Sequence, residues 1–393
     1  MLNWTIERIE ILLLIAALVA MGAQRLRLPY TAGLVAAGMA LALTPYFPHL
    51  ALTKELIYGA FLPPLVFEAA YFIKWRNFRN ELVPLVTFAT VGVTLAAGLT
   101  AAGMHFVAGW EWAAAGLFGA LIAATDPVSV IAVFKEAKVK GRVRLLVEGE
   151  SLLNDGVAAV LFGVVLALTQ GARPGVVGVA TDLALSIAGG VVCGLVVGAV
   201  AILLAGRTED HLVEITFTTV AAYGSFMLAE HLQVSGVLAT LTAGLFLGNI
   251  GHLGAISERG HDAVESFWEY AAFVVNSLVF LLIGVREAHE AYLGVLVPLA
   301  AAVVLVLVGR AVSVYALSAA LSFSRWRIAP SHQHVLFWGG LRGALALALV
   351  MSLPPGTVRR SEMTAVAFGV VAVSILVQGV TMRPLLRRLG VIA

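Results

Sequence analysis

Residues 112–134 read WAAAGLFGALIAATDPVSVIAVF, an apolar run of membrane-spanning length that Thr125-Asp126-Pro127 interrupts near its middle. Pro127 has no N–H and disfavours α geometry at the residue before it, so the sequence predicts a helix that breaks at Asp126. A broken helix exposes carbonyl groups at the end of its first half and N–H groups at the start of its second half. In transporters, such breaks bind ions near the midplane of the bilayer. An ordinary proline kink capped by Asp126 is the alternative.

Residues 148–156, EGESLLNDG, place a second polar group in the next apolar run. At roughly 100° per residue, Glu150, Ser151, Asn154 and Asp155 share one face of a helix. A face of this polarity is costly in lipid, so we predict that it faces a cavity or another helix. Its carboxylate and hydroxyl oxygens are hard ligands of the kind that Na⁺, Mg²⁺ and Ca²⁺ prefer.

The composition of the whole chain places these motifs in a membrane protein. Hydrophobic residues make up 60% of the 393 residues and charged residues 12%, whereas soluble domains carry about 25% charged residues. The apolar blocks are about twenty residues long, enough to cross a bilayer as helices. We therefore predict an all-α polytopic membrane protein that is surrounded by lipid.

Thirteen transmembrane helices are predicted from the apolar blocks. The spans lie near residues 7–23, 29–44, 51–72, 82–107, 112–134, 144–170, 175–205, 211–230, 232–250, 264–284, 290–321, 332–353 and 362–386. Most Lys and Arg residues outside the spans fall at alternate joints, including the basic stretch from Lys135 to Arg144. By the positive-inside rule, the N-terminus faces out and the C-terminus faces the cytoplasm.

Six ionisable residues lie well inside the predicted spans. They are Glu68, Asp126, Glu150, Asp155, Arg310 and Arg342. Each costs roughly 2.5–3.5 kcal/mol at the centre of a helix on insertion scales, so each requires a partner or a wet cavity. Because four acids face only two bases, the group favours cation or proton binding over purely structural ion pairs.

The remaining charged positions suggest further features of the site. Arg310 is alone in its apolar run and must meet an acid within the bundle, where a bidentate carboxylate is the strong geometry. Glycines surround Arg342 in the segment 339–343, which suggests a second broken helix. Two prolines precede Glu68, and their distortion of the helix brings this residue either to the same cavity or near the membrane interface.

These motifs resemble the monovalent cation:proton antiporter family that includes bacterial and archaeal NhaP-type proteins and animal sodium/proton exchangers. The likeness runs through residues 124–130 and 148–156 and returns at Gly309-Arg310 and at residues 339–343. It implies inverted repeats with two crossed discontinuous helices, a homodimer, and no cofactor beyond the transported Na⁺ and H⁺.

We interpret residues 1–393 as one transmembrane domain, and the resemblance implies that its helices form two groups. It implies that helices at approximately 1–80 and 175–284 form the dimer interface. Helices at approximately 81–172 and 289–390 would form the core that translocates the ion.

Carried over to this sequence, the resemblance assigns an ion site. It implies that Asp155 binds the cation or the proton, and that the backbone carbonyl of Thr125 and the hydroxyl of Ser151 complete the ligands of Na⁺. Glu68 would assist, and Asp126 would stabilise the crossed half-helices.

The same resemblance assigns supporting roles. Glu150 would pair with Arg310, and Arg342 would lie at the second helix break. Asn154 replaces the first aspartate of the Asp-Asp pair in related electrogenic antiporters, so the chain resembles the Asn-Asp branch, with one proton exchanged per monovalent cation.

The predicted function is exchange of Na⁺, and also Li⁺, for H⁺ across the cell membrane of a prokaryote, with a role in pH homeostasis. As a transporter, the protein is expected not to be an enzyme and to have no nucleic-acid partner. Cation and proton would compete at Asp155 under alternating access. K⁺/H⁺ exchange is the alternative within this class. From other classes, an intramembrane aspartyl protease would use Asp126 and Asp155 but lacks its Gly-x-Gly-Asp pattern, and a passive cation channel would conduct without protons.

Overall fold

The structure is a computed structural model that describes residues 6–26, 29–44, 53–171, 176–251, 257–288 and 292–392. These residues form helices joined by short turns. In chain order the α-helices are α1 Ile6–Leu26, α2 Tyr30–Ala42, α3 Lys54–Leu56, α4 Leu62–Tyr71, α5 Trp75–Asn80, α6 Leu82–Thr87, α7 Val93–Ala108, α8 Trp112–Ile122, α9 Pro127–Glu136, α10 Arg142–Thr169, α11 Val176–Ala205, α12 His211–His231, α13 Gly236–Ile250, α14 Glu258–Glu287, α15 Leu296–Ala320, α16 Pro330–Trp338, α17 Ala344–Met351, α18 Arg360–Val373 and α19 Val380–Arg388.

Several of these helices continue into one another through single wider turns. π-Helical turns at Ile57–Phe61, Phe88–Gly92 and Ser374–Gly379 join α3 to α4, α6 to α7 and α18 to α19. By contrast, α8 and α9 are separated by an extended break, and so are α16 and α17. Such interruptions are tolerated at membrane depth where neighbouring helices satisfy the freed backbone groups.

Seven helical segments among the described residues are long and apolar enough to cross a membrane. They are Leu82–Ala108, Arg142–Thr169, Thr181–Ala205, His211–His231, Gly260–Glu287, Leu296–Ala320 and Arg360–Arg388. Shorter apolar helices accompany them at Ile9–Ala23, Tyr30–Ala42, Trp112–Ile122 and Gly236–Ile250. The predicted all-α polytopic membrane fold is confirmed, whereas the count of thirteen spans, the outward N-terminus and the division into interface and core helices remain predictions.

The boundary between the tenth and eleventh predicted spans differs from the structure. Helix α14 continues to Glu287 instead of ending near residue 284, and α15 begins only at Leu296. Glu287 is buried, and its carboxylate accepts a hydrogen bond from the hydroxyl of Tyr292 in the following 3₁₀ turn. A buried carboxylate that accepts a hydrogen bond therefore lies where the sequence pattern suggested the end of the span.

Close helix crossings hold the long helices together. Helix α2 crosses α14 at Gly38 and Gly284, where a Cβ on either glycine would collide with the backbone of the other helix. Helix α4 packs against α13 in the same way, with Gly248 against the backbone of Tyr71. Small residues at such crossings allow the backbones to approach, as in other membrane bundles. Helix α4 also contacts α9 and α10, which carry residues of the candidate site.

Candidate functional site

The two breaks meet each other inside the bundle. The N–H of Asp126, in the break between α8 and α9, donates a hydrogen bond of 2.7 Å to the carbonyl of Leu341, in the break between α16 and α17. Gly343 lies directly against Asp126, since a Cβ on this glycine would be 2.5 Å from the Cβ of Asp126. The missing side chain thus lets the two extended segments cross. The two breaks were predicted from the sequence motifs, and their crossing was implied by the family resemblance.

Carbonyl groups at the C-terminal end of each first half-helix accept hydrogen bonds from a buried arginine. The guanidinium of Arg342, which is 2% exposed, donates from Nη1 to the carbonyls of Ala123 (2.6 Å) and Ala124 (2.9 Å) just after α8. Arg310 donates from Nη2 to the carbonyl of Leu336 in α16 at 2.9 Å. Positive charge at these positions satisfies loose carbonyls and offsets the negative end of each helix dipole.

Arg310 also forms a buried ion pair with Glu150 of α10. Its two terminal nitrogens contact the two carboxylate oxygens at 2.7 and 2.8 Å, which is the bidentate geometry. Asn154 donates a further hydrogen bond from Nδ2 to Glu150 at 3.0 Å. The charge of Glu150 is therefore compensated inside the bundle.

Asn154 ties α10 to the first break. Its Oδ1 accepts from the N–H of Thr125 at 3.1 Å, while its Nδ2 donates to the Thr125 hydroxyl at 2.5 Å. That hydroxyl also lies 2.9 Å from the hydroxyl of Ser151. The amide serves as acceptor and donor at once, a combination that an ionised carboxylate at this position could not supply.

Asp155 differs from Glu150 on the same helix. It is 3% exposed, and among the described residues its Oδ1 has no hydrogen-bond partner. The carboxylate lines a cavity of about 20 Å³ together with Thr125, Asp126 and the first residues of α17. Leu62, Leu65 and Val66 of α4 form the apolar wall opposite. The cavity is large enough for one water-sized particle, and its oxygens suit a small cation or a proton.

Glu68 lies in a different place. Its carboxylate is within 3.2 Å of the Lys135 ammonium and lines a separate cavity of about 410 Å³. The structure thus groups Thr125, Asp126 and Asp155 around one cavity with Ser151 adjacent, and places Glu68 beside the next. The predicted part of Glu68 in binding the cation stays a prediction.

Three charged residues of the structure were not singled out from the sequence. Lys135 was interpreted as part of an orientation signal, Glu148 pairs with Arg144 at 2.5 Å, and Glu214 is fully buried. The pair of Arg144 and Glu148 has i, i+4 spacing, which could have revealed it. Glu214 accepts hydrogen bonds from the N–H and the hydroxyl of Ser257 at the start of α14, a role that no local pattern indicates.

Proteins with similar sequences include Na⁺/H⁺ antiporters of bacteria and cyanobacteria. The chain is 40% identical over 372 residues to the low-affinity Na⁺/H⁺ antiporter NhaS1 of Synechocystis sp., covering 93% of this chain and 70% of that protein. It is 30% identical over 397 residues to the Na⁺/H⁺ antiporter NhaH of Halobacillus aidingensis, covering 97% of this chain and 98% of that protein.

A solved structure shares the fold. The sodium proton antiporter MjNhaP1 of Methanocaldococcus jannaschii superposes with a TM-score of 0.75 at 18% sequence identity, covering 98% of both chains. Residues 11–388 match the family model described as sodium/hydrogen exchanger, transmembrane. The resemblance inferred from the sequence motifs is confirmed, and with it a membrane transporter in place of an enzyme: the chain belongs to the transmembrane sodium/hydrogen exchanger family.

Proposed function

We propose that this protein exchanges Na⁺ for H⁺ across the cell membrane and that the two ions compete for Asp155. The relatives named Na⁺/H⁺ antiporters support the exchange. The observation that carries the site assignment is the Asp155 carboxylate, buried with an unpartnered oxygen in a cavity for one small particle. A buried carboxylate without a partner is costly unless it holds a proton or a cation.

The charges around Asp155 support exchange of one proton per monovalent cation. Glu150 is neutralised by Arg310. Asp126 lies at the start of α9 and against the start of α17, where helix N-termini favour a negative charge. Asn154 adds no charge. Asp155 is then the group left to titrate, and it carries one H⁺ or one Na⁺, so the exchange is electroneutral.

The surrounding oxygens support a small cation. Thr125 lines the cavity, and the hydroxyl of Ser151 is 2.9 Å from that of Thr125, so we infer that both supply oxygens to an ion at Asp155. The names of the relatives favour Na⁺ over K⁺ as the exchanged cation. No resident cofactor is needed, because the transported ions carry the chemistry. As part of the same proposal, two copies form a homodimer in which the core helices move to give alternating access.

The test is ion exchange by purified protein in liposomes that contain a pH-sensitive dye. External Na⁺, Li⁺, K⁺ and choline are supplied in turn, with and without a clamp on the membrane potential. We expect proton movement with Na⁺ and Li⁺, little with K⁺, none with choline, and no change under the clamp. A stronger response to K⁺ would favour K⁺/H⁺ exchange, and a voltage-dependent rate would reject the one-to-one ratio.

A matched pair of variants locates the site in the same assay. Asp155→Asn removes the proposed carrier, whereas Asp182→Asn makes the same chemical change at an exposed aspartate on α11. We expect exchange to disappear only in Asp155→Asn. Cation-dependent proton movement that persists in this variant would overturn the assignment of Asp155. Failure of the unmodified protein to respond to any cation would overturn the exchange itself.

A further inference from the structure

The larger cavity, which Glu68 lines, has charges of both signs in its walls. The acids are Glu68, Glu148 and Glu269, and the bases are Lys74, Lys135 and Arg144. Since acids and bases are equal in number, the cavity has no excess of negative charge to attract a cation. One of these bases, Lys135, nevertheless contacts Glu68, which lies on α4 about one turn from the residues of α4 that line the Asp155 cavity.

Both cavities are lined by residues of α4 and α10. On α10, Arg144 and Glu148 line the larger cavity and Asp155 lines the smaller one, at a spacing that keeps all three on one face of the helix. On α4, Leu65 lines the smaller cavity and Glu68 the larger one, about one turn further along. A cation that approaches Asp155 through the larger cavity therefore passes Glu68.

The ammonium of Lys135 occupies this position. It lies 3.2 Å from a carboxylate oxygen of Glu68 and 3.5 Å from one of Glu269, and 5.7 Å from the ring centroid of Phe72. Two carboxylates and an aromatic face form a site for a monovalent cation. Glu68 is only 6% exposed, so its charge requires a positive partner, and the chain supplies one.

Lys135 also connects helices that belong to different parts of the bundle. It lies on α9, the second half of the first broken helix, whereas Glu68 lies on α4 and Glu269 on α14. A shift of α9 relative to α4 and α14 has to separate these groups. A lysine suits such a contact, because its ammonium is a point charge on a flexible stem that swings away without a fixed geometry.

We propose that Lys135 is a tethered competitor of the transported cation. In the resting arrangement, the ammonium of Lys135 forms an ion pair with Glu68. An entering Na⁺ displaces this ammonium from Glu68 before the Na⁺ reaches Asp155. This inference rests on the proposed exchange of Na⁺ for H⁺. It makes Lys135 a determinant of apparent cation affinity on the side of the larger cavity, without contact with the ion at Asp155.

The first test compares half-saturating Na⁺ concentrations in liposomes. Lys135→Gln removes the competitor, and we expect it to lower the half-saturating Na⁺ concentration about threefold, the scale of a partly exposed ion pair. Lys74→Gln removes a charge from the same cavity but leaves the contacts of Lys135 in place, and it should have a smaller effect. Lys135→Arg should stay close to the unmodified protein. Equal changes in Lys135→Gln and Lys74→Gln would show a general charge effect and overturn the inference.

The second test needs no exchange activity and separates this inference from the proposed function. Purified protein is treated with an amine-reactive reagent in Na⁺ or in choline, and labelling of each lysine is followed by mass spectrometry. We expect Na⁺ to speed labelling at Lys135 and to leave Lys74 unchanged. In Glu68→Gln, Lys135 should label quickly in both media. Labelling of Lys135 that ignores Na⁺ would overturn the competitor whatever the result of the exchange assay.

Discussion

Glu150 and Asp155 lie little more than one turn apart on α10, and both are buried, yet their surroundings differ in every contact. Glu150 meets a guanidinium through two hydrogen bonds and an amide through a third. Asp155 faces a cavity with one oxygen unpartnered among the described residues. Burial alone therefore does not distinguish a structural acid from one that exchanges ions. The hydrogen-bond partners of the two carboxylates do distinguish them.

The difference in partners also predicts how each buried charge affects the stability of the fold. Removing one partner of a buried ion pair leaves the other charge unpaired, which is strongly destabilising. Removing an unpaired buried charge relieves such a cost. Glu150 and Asp155 should thus respond in opposite ways to neutral substitution, and the following predictions either break this contrast or refine it.

The largest expected effect is on exchange in Asp155→Asn, which should fall to the level of protein-free liposomes. The apparent melting temperature in detergent should not decrease, because the substitution removes a buried charge that has no partner on one oxygen. Thermal unfolding of the variant and the unmodified protein, measured side by side, checks this. A clear loss of stability would place Asp155 with Glu150 among the structural acids.

The next effect is on stability in Arg310→Ala, which should cost roughly 3–5 kcal/mol, because Glu150 is left as an unpaired buried charge. Apparent melting temperatures in detergent provide the measurement. The double variant Glu150→Gln with Arg310→Ala is the control and should recover part of the loss. If Arg310→Ala melts like the unmodified protein, the contrast between the two acids is wrong.

A smaller effect is expected at the crossing of the breaks. In Gly343→Ala the new Cβ would collide with Asp126, and such overpacking typically costs about 1–3 kcal/mol. Exchange should fall as well, since the same residues line the Asp155 cavity. Gly98→Ala on α7 is the matched control, with no atom within 4 Å of its new Cβ. Equal melting temperatures and exchange rates in the two variants would argue against the crossing as a constraint on the site.

The smallest effect should appear in Ser151→Ala. The substitution removes the hydroxyl beside Thr125 and a proposed ligand of Na⁺. A lost hydrogen bond of about 0.5–1.5 kcal/mol corresponds to a rise of roughly twofold to tenfold in half-saturating Na⁺. The maximal rate should stay near that of the unmodified protein. An unchanged Na⁺ dependence would remove Ser151 from the ligands and leave Asp155 with the oxygens of Thr125.

Features written into local sequence were predictable. Pro127 and the glycines around Arg342 predict the two helix breaks from their backbone chemistry alone. The partner of Arg310 followed from the rule that a charge in an apolar run needs an acid, while the choice of Glu150, 160 positions away, came from the family resemblance. Contacts between distant helices without such a rule were missed. Lys135 reaches Glu68, 67 positions earlier, only because α9 packs beside α4 and α14.

The hydrogen bonds from Arg342 to the end of α8 have a consequence for biosynthesis. They join residues 219 and 218 positions apart, so the carbonyls of Ala123 and Ala124 lack this donor until the ribosome has passed position 342. If helices enter the bilayer in the order of their synthesis, the first broken helix enters before its final partner is made. During that interval the nascent chain has to shelter polar backbone in some other way, through water, another helix or the insertion machinery.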